Sequence, residues 1–385
     1  MRTIRRRMAL FVCIIALILT FLPGKTLASG TDLDQMIEET TSGLSSMRSK
    51  PGRLLKDPEA LHVGTTDDWI PLVLAFGGSR EYYDEYLGML RTHVESRYAE
   101  YGCLEDIKAT EYHRIALAVM ALGGDPTSFG TRPDGSPIDL IADGTYDFGG
   151  IDLGLQGLNG LTWALIVLDA SGVEIPTDAR YQRQDIIDAI LSAQEPDGGF
   201  GLMKGGSEVD ITAMTLQALS PYKEQYSEPI EKALLYLSSV KTGTCGYISY
   251  GEENAESVSQ VIMALCALGI DPETDPRFCS GGMTTLAELE RFRFPDGTYG
   301  HALTSEKGDS MATVQALEAL LSLRGLRDGT GYVFSFRELP ALQQRKDISI
   351  TAVIIAAAAA AGAAGCVITI RKRKKHGTVN RSDSV

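Results

Sequence analysis

The chain has 385 residues with 36 Lys and Arg against 50 Asp and Glu, a formal net charge of −14 at pH 7. Residues 1–28 and 371–385 hold 11 of the basic side chains and one acidic one, which leaves −24 between them, a surface that repels nucleic acid and anionic lipid. None of the six cysteines forms a CxxC pair, which speaks against a cysteine-built zinc site.

The first 28 residues, with four Arg, an apolar run from Met8 to Leu22 and a small-residue site ending at Ala28, read as a secretory signal peptide; an uncleaved N-terminal anchor is the alternative. An ectodomain is expected over 29–336. In it, six apolar helical segments end at Phe76, Leu122, Leu168, Leu219, Leu268 and Leu320, spaced 46, 46, 51, 49 and 52 residues apart. Spacing this even means one supersecondary unit used about six times. The segments are apolar nearly all round, so they must be enclosed on both sides, whereas the helix at 183–194 is striped, with Ile186, Ile187, Ile190 and Leu191 on one face. Alternating enclosed and half-exposed helices predict an all-α fold, an α/α toroid of about six inner and outer hairpins, with an open solenoid as the alternative.

Glycine-rich turns recur at Asp143, Asp197, Thr242, Asp296 and Asp328, each with an aromatic residue close behind. Gly supplies the positive backbone angle, Asp closes the turn through its side chain, and the aromatic plugs the gap between hairpins. The stretch Pro126 to Asp147 reads either as a contact loop or as a degenerate outer helix. A juxtamembrane linker is expected at 337–347. Ile348 to Ile370 then gives 23 uncharged residues, enough to cross a bilayer, and the basic tail 371–385 that follows would stay inside the cell. The expectation is a single-pass membrane protein with its ring outside.

The period, the turn "AQEPDGGFG" and the helix "EVDITAMTLQAL" together resemble the prenyltransferase and squalene-cyclase repeat. That superfamily includes polyprene cyclases, protein prenyltransferase β subunits and the helical domain of cobalamin carriers. A cyclase would use Asp210 as the general acid beside Glu208, but Ile211 replaces the second Asp of the family's box, and only Trp69 and Trp163 are available to shield a carbocation. A zinc-dependent transferase would need Cys and His on the helix after Asp309, which has neither, so no metal and no cofactor are expected. A corrinoid carrier would need a second domain for which about two dozen residues remain.

Asp68, Glu111, Asn159, Asp210, Glu256 and Asp309 recur at the starts of the inner helices, where capping accounts for all six. With Trp69, Tyr112 and Trp163 they would also rim one mouth of a central cavity, the default place for a ligand. The function expected is binding of a small molecule or a surface protein partner at that mouth, without catalysis.

Overall fold

The computed structural model describes residues 33–50, 53–56, 61–79 and 81–336. The expected signal peptide, linker, apolar span and tail lie outside the described residues. No helix among the described residues is long and apolar enough to cross a membrane.

The chain is mostly helical. Twelve α-helices among the described residues alternate between two layers. The outer ones are α1 (Leu33–Ser46), α3 (Tyr83–Tyr101), α5 (Leu140–Gly144), α7 (Arg183–Ser192), α9 (Ser227–Val240) and α11 (Thr285–Leu289). The inner ones are α2 (Trp69–Phe76), α4 (Ala109–Ala121), α6 (Leu158–Ser171), α8 (Val209–Leu219), α10 (Ala255–Leu268) and α12 (Ser310–Asp328). Two short hairpins, β1 (Ile248–Ser249) with β2 (Glu252–Glu253) and β3 (Cys279–Ser280) with β4 (Met283–Thr284), complete the elements.

The layers follow from the apolar pattern. In α10 every residue from Ser257 to Cys266 is buried, because neighbours flank it on two sides and an outer helix lies behind it. In α7 only Ile186, Ile187 and Ile190 are buried, one stripe facing inward.

The inner helices pack in order, α2 on α4, α4 on α6, and so on to α12, and α12 packs back on α2. The circuit is therefore closed. Two long-range links fasten the seam: Arg324 Nη2 donates to Phe76 O at 3.0 Å, and Arg293 pairs with Glu39 on α1. The backbone of α1 also lies hard against the turn at Asp296; a Cβ on Gly43 would stand 2.6 Å from Asp296 O, and one on Gly297 2.2 Å from Glu39 O. Helix α1 completes the outer layer although the repeat does not announce it.

All six inner helices start at one end of the ring, since each follows an outer helix running the other way. The loops that feed them are hydrogen-bonded to one another around the rim: Ile151 N to Asp106 O at 3.2 Å, Leu158 N to Leu202 O at 3.0 Å, and Ala255 N to His301 O at 2.9 Å. Two of the repeated turns behave as expected. Asp197 accepts from Gly199 N and Asp296 from Thr298 N, with Gly198 and Gly297 at φ 90° and 84°. Elsewhere the mark serves other ends: Asp143 lies inside α5 and pairs with Arg132, and Asp328 ends α12. The aromatics that follow, Phe148, Phe200, Tyr247, Tyr299 and Phe334, are all buried. Pro126 to Asp147 resolves as a shortened outer element, with Phe129, Ile138, Leu140 and Ile141 in the core and the tip at 133–135 exposed.

Candidate functional site

The residues expected at the entry rim, where the inner helices begin, have separate fates. Only Asp309 caps by its side chain, accepting from Met311 N at 2.8 Å and Ala312 N at 3.0 Å. The capping explanation fails at the other five. Asp68 makes no cap bond and is fully buried, accepting from Arg114, Tyr86 and Gly64 N in an ion-pair network between α2, α3 and α4. Glu111 bonds Arg114, and Glu256 bonds His301 Nδ1 at 2.9 Å, which holds the imidazole pKa above its ordinary value. Asn159 and Asp210 stand two residues past their caps. Each residue turns a helix side chain by about 100°, so that position faces away from the first free N–H groups. The α10 cap is instead Asn254, which accepts from Ser257 N at 2.9 Å.

Asp210 is half-buried. Its Oδ2 accepts from Ser249 at 3.3 Å while Oδ1, buried, has no partner. Burial raises its pKa, the Ser257 and Ser249 hydroxyls oppose the rise, and the charge of Glu208 adds to it. Asn159 Oδ1 is likewise buried and unpaired. Glu208 turns back to its own loop and accepts from Leu202 N at 3.1 Å. Thr212, the tail of the cyclase-like box, is a structural clamp: it accepts from Phe200 N at 2.8 Å and donates to Phe200 O at 3.1 Å. Thr313 does the same for Tyr299, at 2.9 and 3.3 Å, which explains Thr at this place in two repeats.

Trp69 and Trp163 lie on inner helices separated by α4, yet their rings meet at 5.2 Å. They touch across the axis, which is filled at that level. Phe334, from the segment after α12, packs edge-on against both, at 6.0 and 5.3 Å. Tyr112 does not join them. It lies in the wall against Phe148, and its hydroxyl accepts from Leu104 N at 3.0 Å.

The entry rim carries a pattern that the sequence alone did not expose. Of eleven exposed large hydrophobic side chains among the described residues, seven stand on the five loops that lead into α4, α6, α8, α10 and α12. They are Ile107, Ile151, Leu155, Met203, Ile248, Tyr250 and Leu303, so the tips form an apolar crown. Tyr250 is 94% exposed at the tip of the β1–β2 turn with φ 51°, a conformation that Asn or Gly adopts more easily. The same loops and the first helical turns they feed hold sixteen carboxylates against four lysines and two arginines. The crown is therefore set in a strongly acidic rim.

At the opposite end, a cavity of about 580 Å³ opens between the last turns of α6, α8, α10 and α12. None of the residues expected at the entry mouth lines it. Its walls include Asp169, Gln217, Lys223, Tyr332 and Phe334. Arg183 and Tyr222 occupy Asp169 Oδ1, leaving Oδ2 buried and unpaired. Gln217 Nε2 donates to Gln260, and Gln260 to Gln315, a relay across three inner helices that leaves Gln217 Oε1 buried without a partner. One turn before Ser322, which accepts from Val333 N, Glu318 lies on the same strip of α12; burial with no charged neighbour pushes its carboxyl up to about 8. An acid inside the apolar run from Ala316 to Leu323 is the one sequence signal that could have singled out Glu318.

Neither a family model nor a curated protein sequence matches the chain. Among solved structures it is similar to a protein from Actinoplanes, at 14% identity and TM-score 0.45, with 76% of this chain and all of that one covered. It is also similar to Candida albicans protein geranylgeranyltransferase-I solved with GGPP, at 10% identity and TM-score 0.43, covering 83% and 91% of the two chains.

Proposed function

We propose that this chain is a partner-binding protein whose ring, of the prenyltransferase-like kind that its repeat suggests, is held outside a cell by the apolar stretch 348–370. The entry rim would dock a cationic amphipathic polypeptide segment. The observation that carries the reading is the apolar crown set among carboxylates. Apolar tips on five successive loops at one end of the ring cost solubility and contribute little to the core, and exposed apolar surface gathered on one face marks an interaction surface. The surrounding charge selects a basic partner and disfavours an anionic bilayer. The unpaired acceptor of Asn159 calls for a donor, which lysine and arginine side chains provide.

A synthetic Leu/Lys amphipathic peptide, its Leu/Glu counterpart and anionic lipid vesicles, each titrated into the full-length protein, test this reading. The Leu/Lys peptide should bind in a salt-sensitive way. Replacing Tyr250 and Met203 by Ser should weaken it by about tenfold or more, as loss of two buried apolar contacts implies. Binding of vesicles in preference to the peptide, or no effect of the double replacement, would overturn it.

A second reading rests on the buried, unpaired Oδ1 of Asp210 and its raised pKa. An acid so placed could protonate an alkene, as in the cyclases that the sequence resembles. Incubation of the purified protein with a polyprene decides it: turnover that Asp210→Asn abolishes, with the melting temperature unchanged, favours the enzyme, and its absence in both proteins favours docking.

A further inference from the structure

The exit-side cavity lies at the far end of the ring from the proposed docking face, and packing does not explain its walls. A space of about 580 Å³ falls within the range of small-molecule sites. Two of its polar groups are buried and incomplete. Gln217 is 1% exposed with Oε1 unpaired, and Asp169 keeps Oδ2 unpaired although Arg183 and Tyr222 hold the other oxygen. An unsatisfied buried acceptor is destabilising, so two in one cavity point to an occupant that supplies donors.

We infer that this cavity binds a small organic ammonium carried on an aromatic or apolar body. Both orphan atoms are acceptors. The one lysine in the wall donates from Nζ to Leu268 O at 2.9 Å, and Glu224, next to it in the chain and also in the wall, balances its formal charge. Asp169 and Glu224 contribute carboxylates, and Tyr332 and Phe334, their rings 5.9 Å apart, contribute the faces that attract a cation and cover an apolar body. The glutamine relay runs toward α12, each amide donating to the next, which leaves Gln217 Oε1 in the wall without a donor. A separate recess of about 500 Å³, lined by Gly172 and Gln182, shares Asp169 with the cavity.

Tryptamine, tryptophol and indole-3-acetate share one body and differ in presenting an ammonium, a hydroxyl or a carboxylate. Calorimetric titration of each into the full-length protein tests the inference. Tryptamine should bind saturably with Kd below about 1 mM, and tryptophol about tenfold more weakly. Asp169→Asn should erase that preference. Ala267→Phe, which fills the cavity from α10 and leaves the Asp169 contacts alone, should abolish binding while circular dichroism stays unchanged. Equal affinity for amine and alcohol, strongest binding of the carboxylate as a reversed relay would give, or no saturable binding of any of the three would overturn the inference. None of these outcomes bears on the entry rim.

Discussion

The two ends of the ring are made from opposite kinds of connection. Chain entering an inner helix arrives through a long loop, with exposed tips and side chains that bond across to the next loop. Chain leaving one often stops on a left-handed glycine: Gly172, Gly269 and Gly329 end α6, α10 and α12 at φ 66°, 82° and 74°. The glycine turns let backbone N–H groups reach the carbonyls of the last turn, and Gly269, Gly325, Gly329 and Gly331 all border the cavity. Helix starts gather polar and apolar groups into a surface. Helix ends leave space.

The sharpest way to break this contrast is to disturb the segment that closes the exit. Phe334→Ala should lower stability by about 3–5 kcal/mol in chemical denaturation, because the buried ring packs edge-on against both Trp69 and Trp163. A loss under about 1 kcal/mol would mean that the segment is not seated on the axis.

Next in size is a dependence on pH. The folded protein holds the Glu318 proton up to about pH 8, while the unfolded chain releases it near 4.5. Stability from this group is complete below the lower value and is lost as pH climbs through the upper one. Relative to Glu318→Gln, the parent should lose on the order of a few kcal/mol between those limits. Parallel denaturation curves for the two proteins across that window would refute the assignment.

The entry side should respond through its clamps. Thr212→Val leaves the buried N–H of Phe200 without its partner, while the carbonyl keeps its bond from Glu208 N, and should cost about 1–3 kcal/mol. The smallest effect separates caps from axis-facing acids: Asp309→Ala should cost about 1 kcal/mol, whereas Asp210→Ala should leave the melting temperature unchanged or raise it. Equal losses at both positions would restore capping as the explanation for both.

The repeat, the two layers and the aromatic staples were legible because each rests on periodic burial, which sequence records directly. The roles of the rim acids were not. Asp309 and Asp210 differ by two positions relative to their helix starts, a rotation of about 200°, and such an offset falls within the uncertainty of a helix boundary read from sequence. Helix α1 escaped notice because its polar residues mask the stripe of Met36, Ile37 and Leu44 that packs inward. The exit cavity was hidden for a different reason. Asp169 and Gln217 sit near helix ends at ordinary polar positions, and only the circular packing brings them together with Tyr332, more than a hundred residues later.

The seam bears on how such a protein can evolve. An open array gains or sheds a unit and its remaining members keep their neighbours. Here Glu39 and Phe76, from the first hairpin, bind Arg293 and Arg324, from the last. Duplicating or deleting one hairpin would change the angle at every joint, so lineages are expected to vary the loops and preserve the count.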